Sequence, residues 1–283
     1  MNLHEKYMRR CIQLAKNGLG STYPNPLVGS VVVYKDKIIG EGWHRKAGTP
    51  HAEVNAVNSV EDKLLLPEST LYVNLEPCNH FGKTPPCSEM IINSGIRNVV
   101  IGTKDHNSIV HGRGIQKLQD ARINVISGIL NTECFHVNKR FFTYHQKKRP
   151  YVILKWAETA DGYIAPEFSG TLRTPVWITN QYSRQLVHKW RTEEQAILVG
   201  TNTVIADNPQ LNVRDLKSSA VAETEQPVRI VIDRSAKIPT DSYVFNNQLK
   251  TIVICEQKIK RDEENIIFEI ANFDGSLPLT MLE

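Results

Sequence analysis

The tightest constraint in this sequence is that three candidate metal ligands, scattered along the chain, must meet at one point. His51 stands in HAEV (51–54), and Cys78 and Cys87 stand in EPCNHFGKTPPC (76–87). Glu53 follows the histidine by two residues. Three protein ligands with one position left open are what a catalytic zinc requires, whereas structural zinc sites close with four. Zinc lowers the pKa of a bound water to about 7. A carboxylate beside the metal, but not on it, can move a proton from that water to a departing group, and Glu53 is the candidate. A structural zinc site or a pair of buried thiols is the competing reading. The three-ligand count and the extra Glu weigh against it.

The chain order says how such ligands could be delivered. Leu3, Tyr7, Cys11, Leu14 and Ala15 follow helical spacing, and this opening helix is expected to end near Gly18. SVVVY and KIIGEGWH read as a hairpin around Lys35–Lys37. A helix is expected from about His51. STLYVNLEPC reads as a strand running into the first Cys, and PCSEMIINSG as a helix starting at the second and closed by Gly95. RNVVIGTKD, GIQKLQDAR and INVISGIL continue as strand, helix, strand. NTECFHVNKRFFTYHQ reads as one last helix, with Asn131 or Thr132 as its N-cap. Strands alternating with helices make an α/β domain with a sheet covered on both faces. The ligands then come from helix starts beside strand ends, where backbone N–H groups favour a thiolate.

Composition sets outer limits. The 283 residues suffice for about two domains. Hydrophobic and charged contents of 41% and 23% are those of an ordinary globular protein. A net charge of +4 makes no case for nucleic acid, although it suits phosphorylated substrates. No run has the length of a membrane span, and the N-terminus lacks the apolar core of a signal peptide, so a cytoplasmic protein is expected. Cys11, Cys134 and Cys255 read as buried small hydrophobes rather than as a disulfide framework.

H-x-E followed by P-C-x-x-C is the signature of zinc nucleobase deaminases, but here eight residues separate the cysteines instead of two. That insertion, with PNPLVGSVVV, GEGWHRKAGTPHAEVNAV and LEPCNHFGKTPPCSEMI, resembles the deaminase domain of the bifunctional deaminase/reductase of riboflavin biosynthesis, the RibD family. The resemblance implies a three-layer cytidine-deaminase-like fold and one Zn2+ per chain. It implies loss of the ring amine of 2,5-diamino-6-ribosylamino-4(3H)-pyrimidinone 5′-phosphate as ammonia. It also implies that Asn25, His44, His80, Lys83 and Asn107 contact that substrate. Read without it, Asn25 only shapes a turn between prolines, His44 is a core histidine and Lys83 is solvated. DHNSIVHGRG (105–114) departs from the family's Asp-Pro-Asn-Pro turn, because His106 and Ser108 replace the prolines.

The basic stretch HQKKRPYV places a boundary near residue 146, giving domains 1–146 and 147–283. Beyond it, YVILKWAETADGYIA reads as a strand and a turn at Asp161–Gly162. WITNQYSRQLVHKWRTE reads as a strand end into a helix, and QAILVGTNTVIAD as a strand into a helix. PVRIVIDRS, KTIVICEQ and NIIFEI read as strands. These spacings contain no G-x-G-x-x-G or P-loop. LKWAETADGYIA, WIT, HKWRTEEQAILVGTNTVIADNPQLNVR and RIVIDR resemble the family's NADPH-dependent reductase domain, of dihydrofolate-reductase-like α/β fold. That implies reduction of the ribosyl group to a ribityl chain, with hydride from NADPH. It places Ala157, Trp177, Thr203 and Asp207 along NADPH and Arg191, Leu211 and Arg214 around the substrate. Lys155 and Asp161 belong to the same motif. Arginine suits a phosphate because its planar fork binds the oxygens bidentately, whereas core packing is the alternative for Trp177 and Leu211. Thr174-Pro175-Val176 stands where the family often has Ser-Gln.

SLPLTMLE reads as a helix just starting, so an incomplete reductase domain is expected, with deaminase activity and little NADPH oxidation. The partner expected is a small phosphorylated ribosylaminopyrimidine, with no nucleic acid and no membrane. Homo-oligomerisation is implied by the resemblance alone. The alternatives are a deaminase acting on transfer RNA and a non-catalytic zinc-stabilised binding protein.

Overall fold

The computed structural model describes residues 2–80, 85–105, 112–165, 175–214, 226–257 and 263–273. The chain divides into two compact units, Met1–Tyr151 and Val152–Glu283, each with a sheet of its own.

The first sheet is built on strands buried at nearly every position: β1 (Gly29–Tyr34), β3 (Thr70–Leu75) and β4 (Asn98–Thr103). Successive side chains on a strand point to opposite faces. Val32, Leu71, Val73, Val99 and Ile101 accordingly enter one apolar layer, and Val31, Val33, Tyr72 and Val100 the other. A one-residue slip of any strand would exchange its two sets of side chains between the layers. β2 (Lys37–Trp43), β1, β3, β4 and β5 (Asn124–Ser127) lie in that order. β1 is antiparallel to both neighbours, while β3, β4 and β5 run parallel.

Helices cover both faces. α1 (Leu3–Lys16) and α5 (Asn131–Val137) bring Tyr7, Met8, Cys11 and Cys134 to one layer. α2 (Ala52–Ser59), α3 (Cys87–Asn93) and α4 (Arg113–Asp120) bring Ala56, Val57, Ile91, Ile115 and Leu118 to the other. Two glycines allow the closest approaches. A Cβ on Gly29 would lie 2.1 Å from the Cys11 carbonyl oxygen, and one on Gly42 2.4 Å from the Ala56 nitrogen. α1 and α2 therefore rest directly on the backbone of the hairpin.

The single helix expected over 131–146 is two, α5 and α6 (Lys139–Lys147), which break at Asn138. The cap position falls on Leu130, at φ 53°, so neither Asn131 nor Thr132 caps the helix. The break has a physical reason. The Asn138 side chain accepts from the Leu27 N–H at 2.7 Å and donates to the Leu27 carbonyl at 2.9 Å. Asn74, buried in β3, accepts from the Gly29 N–H and donates to the same Leu27 carbonyl. A buried backbone segment with no strand partner finds its hydrogen bonds in two asparagine side chains.

The second unit holds a wholly parallel sheet in the order β6 (Ala196–Gly200), β7 (Val228–Ile232), β8 (Thr251–Cys255) and β9 (Ile266–Ile270). α7 (Gln181–Glu193) starts at Asn180, whose side chain accepts from the Ser183 N–H. α8 (Thr201–Asp207) follows β6 without a loop. Val204, Leu211, Val231, Ile238 and Val244 form its core. The strand expected at the start of YVILKWAETADGYIA is absent among the described residues. A strand exists only where a neighbour takes its backbone hydrogen bonds, and this sheet runs from β6 to β9 without it. Val152, Ile153, Leu154 and Trp156 are exposed instead. The turn does form, with the Thr159 N–H donating to the Tyr163 carbonyl and Gly162 at φ +88°. No helix among the described residues is long and apolar enough to cross a membrane.

Replacing Asn138 by Ala leaves the buried Leu27 N–H without its acceptor, at a cost of about 2 kcal/mol. Urea unfolding of the Asn138→Ala chain is expected to show that loss. A change below about 0.5 kcal/mol, the scale of an ordinary surface substitution, would mean that the clamp carries no weight.

Candidate functional site

Three element ends converge in the first unit. His51 is the residue on which α2 starts, Cys78 lies just past the end of β3, and Cys87 is the first residue of α3. Their ligand atoms all fall within 4.8 Å of one another. His51 Nδ1 is 3.5 Å from Cys78 Sγ and 3.3 Å from Cys87 Sγ. A tetrahedral zinc with bonds of about 2.3 Å to sulfur and 2.0–2.1 Å to nitrogen spaces its ligand atoms by about 3.5 Å. The donor set and its spacing both fit zinc.

The two thiols differ in their electrostatics. The Cys87 thiol donates to Cys78 and His51 lies beside it, which together hold Cys78 down to about 4 in spite of burial. The Cys87 backbone N–H, in the first turn of α3, also donates to Cys78 Sγ at 3.2 Å, as a helix start does for a thiolate. Cys87, donor of the pair and buried, is held above the ordinary thiol range. His51 is raised, first through its contact with Cys78. Glu53 is buried in the first turn of α2, and burial, then the Cys78 charge, raise its carboxyl. A carboxyl raised this way holds a proton more readily than a solvated one, as a proton carrier requires.

His44 and Asn25 sit against this cluster. The His44 ring meets that of His51 edge-on, with centroids 5.2 Å apart. His44 Nδ1 faces the Pro50 carbonyl oxygen at 3.2 Å, and an oxygen that only accepts requires the hydrogen on Nδ1. Nε2 is then the acceptor for the Asn25 side-chain amide at 3.0 Å. With Nδ1 donating and Nε2 accepting, the ring is a neutral, oriented group, and burial lowers its pKa in the same direction. His80 is exposed. Lys83 and Asn107 lie outside the described residues.

In the second unit, Arg191 and Arg214 converge on one residue. Arg191 donates to the Asn212 carbonyl at 2.7 Å and Arg214 to the Asn212 side chain at 2.8 Å. The Arg214 N–H donates to His188 Nδ1. Leu211 between them is buried in the core, which limits what it can offer a ligand. Thr203 is exposed and Asp207 half-buried on α8, where burial raises the Asp207 carboxyl. Trp177 is exposed with the Arg184 guanidinium 4.5 Å from its ring centre, and Ala157 is half-buried in the irregular stretch before the 160–162 turn. α8 begins at the carboxyl end of a parallel strand, where open α/β sheets bind ligands. A Cβ on Gly200 would meet nothing within 4 Å there. Thr201–Asp207 thus starts at a glycine uncrowded by the described residues, the position at which such a sheet would take a cofactor.

Sequence reading overlooked the residues that hold these groups. Asn55 donates to the carbonyls of Trp43 and Pro50, tying α2 to the segment that carries His44 and His51. Asn79 accepts from Ser88 and donates to the Arg113 carbonyl. Asn74 and Asn138 anchor Leu27, two residues after Asn25. Polar residues inside otherwise apolar strand and helix patterns were the available signal, as with Asn74 in TLYVNL.

The zinc-binding region of cytidine and deoxycytidylate deaminases matches residues 1–103, and the RibD C-terminal domain matches residues 150–277. The riboflavin biosynthesis protein RibD of Aquifex aeolicus is 44% identical over 93% of this chain and 71% of its own length. That of Actinobacillus pleuropneumoniae is 48% identical over 83% of this chain and 59% of its own length. The crystal structure of a diaminohydroxyphosphoribosylaminopyrimidine deaminase/5-amino-6-(5-phosphoribosylamino)uracil reductase from Thermotoga maritima superposes with a TM-score of 0.87 at 40% identity. It covers 99% of this chain and 76% of that one. The chain thus spans 59–76% of the lengths of these relatives. Metal analysis of the purified chain is expected to give about one zinc per chain, falling to near zero in Cys87→Ser. A variant that keeps its full zinc would remove Cys87 from the ligand set.

Proposed function

The chain belongs to the RibD family of riboflavin-biosynthesis proteins and carries both its deaminase and its reductase domain, and on that premise we propose which residues do the work. His51, Cys78 and Cys87 hold the zinc, and Glu53 is the proton carrier of a hydrolytic deamination. The substrate is 2,5-diamino-6-ribosylamino-4(3H)-pyrimidinone 5′-phosphate, and the products are the corresponding uracil and ammonia. The observation that carries this reading is the convergence of one imidazole and two thiols at tetrahedral spacing, with a buried carboxyl of raised pKa two residues from the imidazole.

Zinc, when bound, supplies a water activated for attack at neutral pH. Glu53 takes a proton from the attacking water and passes it to the departing amine. The carbon–oxygen bond forms, the carbon–nitrogen bond breaks, and nitrogen leaves as ammonia, so the carboxylate ends as it began. Asn25 and neutral His44 orient the ring and its substituents. His80 and Lys83, on the segment between the cysteines, take the ribosyl phosphate. The modest net charge favours a small phosphorylated ligand over a nucleic acid. Three metal-free thiols buried without a disulfide suit a reducing, cytoplasmic compartment.

The second unit takes the deaminated product and reduces its ribosyl group with hydride from NADPH. Ala157, Trp177, Thr203 and Asp207 are assigned to the cofactor. Arg191 and Arg214, drawn together at Asn212, are assigned to the substrate phosphate, beside Leu211.

Glu53→Gln is expected to lose at least about 100-fold in ammonia release while keeping its zinc. Equal ammonia release from both chains would remove Glu53 from the proton transfer, and no release from either would support a zinc-stabilised protein without this chemistry. Ammonia release from RNA oligonucleotides, but not from the pyrimidine, would favour the transfer-RNA deaminase.

A further inference from the structure

Glu76 ends up buried two residues before Cys78, and no step of the deamination uses it. Its two carboxyl oxygens accept four backbone N–H groups. One oxygen takes those of Asp105 and Gly112, at 3.1 and 3.0 Å, and the other those of Gly114 and Ile115, at 3.0 and 3.2 Å. Its own N–H donates to the Thr103 carbonyl at 2.9 Å. One side chain thus joins the end of β4 and the first turn of α4 to the end of β3. The first N–H groups of a helix have no partner within it, and a carboxylate with its lone pairs so filled makes bonds stronger than neutral ones.

The contact continues along the next residues. Gly114 presses on Pro77 so closely that a Cβ there would lie 2.0 Å from the Pro77 carbonyl oxygen. Asn79 donates to the Arg113 carbonyl and accepts from Ser88, which follows Cys87 in α3. The Ser88 N–H donates to the Cys78 carbonyl at 3.1 Å. Residues 76, 77 and 79 are each fixed from the α4 side, and Cys78 stands among them. Cys78 has no regular strand partner of its own, because β3 ends at Leu75.

We propose that Glu76 is a positioning residue for the metal site: by gathering four N–H groups, those of Asp105 just past β4 and of Gly112, Gly114 and Ile115 at the start of α4, it sets the backbone that holds the Cys78 thiolate in reach of zinc. This rests on Cys78 being a zinc ligand. Glu76 acts through the main chain and not on the sulfur. Supporting partners of metal ligands typically govern affinity by 10–100-fold. A glutamine at this position keeps the shape but turns one acceptor oxygen into an amide donor facing two N–H groups.

The test is zinc retention against a chromogenic chelator, measured well below the unfolding temperature of every chain compared. The unaltered chain first has to hold zinc that Cys78→Ser does not. If it does not, the assignment of Cys78 fails, whatever Glu76 does. Given that, Glu76→Gln is expected to lose zinc at least about 10-fold faster, and the visible spectrum of its cobalt-substituted form is expected to shift. Ile12→Ala, which weakens the same unit from α1, in the apolar layer opposite that of α2, α3 and α4, keeps the zinc and cobalt behaviour of the unaltered chain. Equal retention in Glu76→Gln overturns the inference, and so does equal zinc loss in both variants. Because coupling between sites is reciprocal, a second measurement needs no variant. Removing zinc from the unaltered chain is expected to speed hydrogen exchange at Asp105, Gly114 and Ile115 more than in α1. Unchanged exchange at those amides overturns the inference as well.

Discussion

Everything at the metal site depends on element ends being brought to one point without a continuous scaffold between them. His51 comes from the start of α2, Cys87 from the start of α3 and Cys78 from the residues just beyond β3. A shift of either helix would carry its ligand atom away from the other two. Close packing of helix on sheet prevents this. Gly42 lets α2 rest on β2, and strands buried on both faces pack tightly against both helical layers.

Around that frame, asparagines do what secondary structure cannot. Leu27 lies outside the sheet, and Asn74 and Asn138 supply its hydrogen bonds from β3 and from the break between α5 and α6. Asn55 secures the segment carrying His44 and His51, and Asn25 meets the imidazole of His44. Each amide provides a donor and an acceptor in one rigid group. That suits it to replacing a missing backbone partner inside a protein. Glu76 works on the same principle with acceptors only, which is why it faces a cluster of N–H groups. The second unit repeats the device: Asp233 at the end of β7 accepts from Thr201 and from the Lys237 and Ile238 N–H groups.

Much of the first unit was legible in the sequence. The strands around Val31, Val73 and Val99 and the helices starting near His51 and Cys87 are where patterning put them, because periodicity and turn residues act locally. The break at Asn138 was not legible, since its cause is a backbone segment 111 residues away. In the second unit the order of strand and helix was legible from 181 to 207. VILKW, however, is a strand only by propensity, which counts for little without a partner.

What the sequence determined by itself is the chemistry: one imidazole, two thiols and a carboxylate at a spacing that suits a catalytic zinc, and the apolar patterns that place them at element ends. What only the tertiary structure decided is how those groups are held. The hydrogen on His44 Nδ1 is assigned by the Pro50 carbonyl, the low pKa of Cys78 comes from Cys87 and His51, and the four donors on Glu76 arrive from 29 to 39 residues downstream. Residue types and local periods are written along the chain. Hydrogen-bond partners and shared protons depend on which distant segments the packed layers bring within about 3 Å.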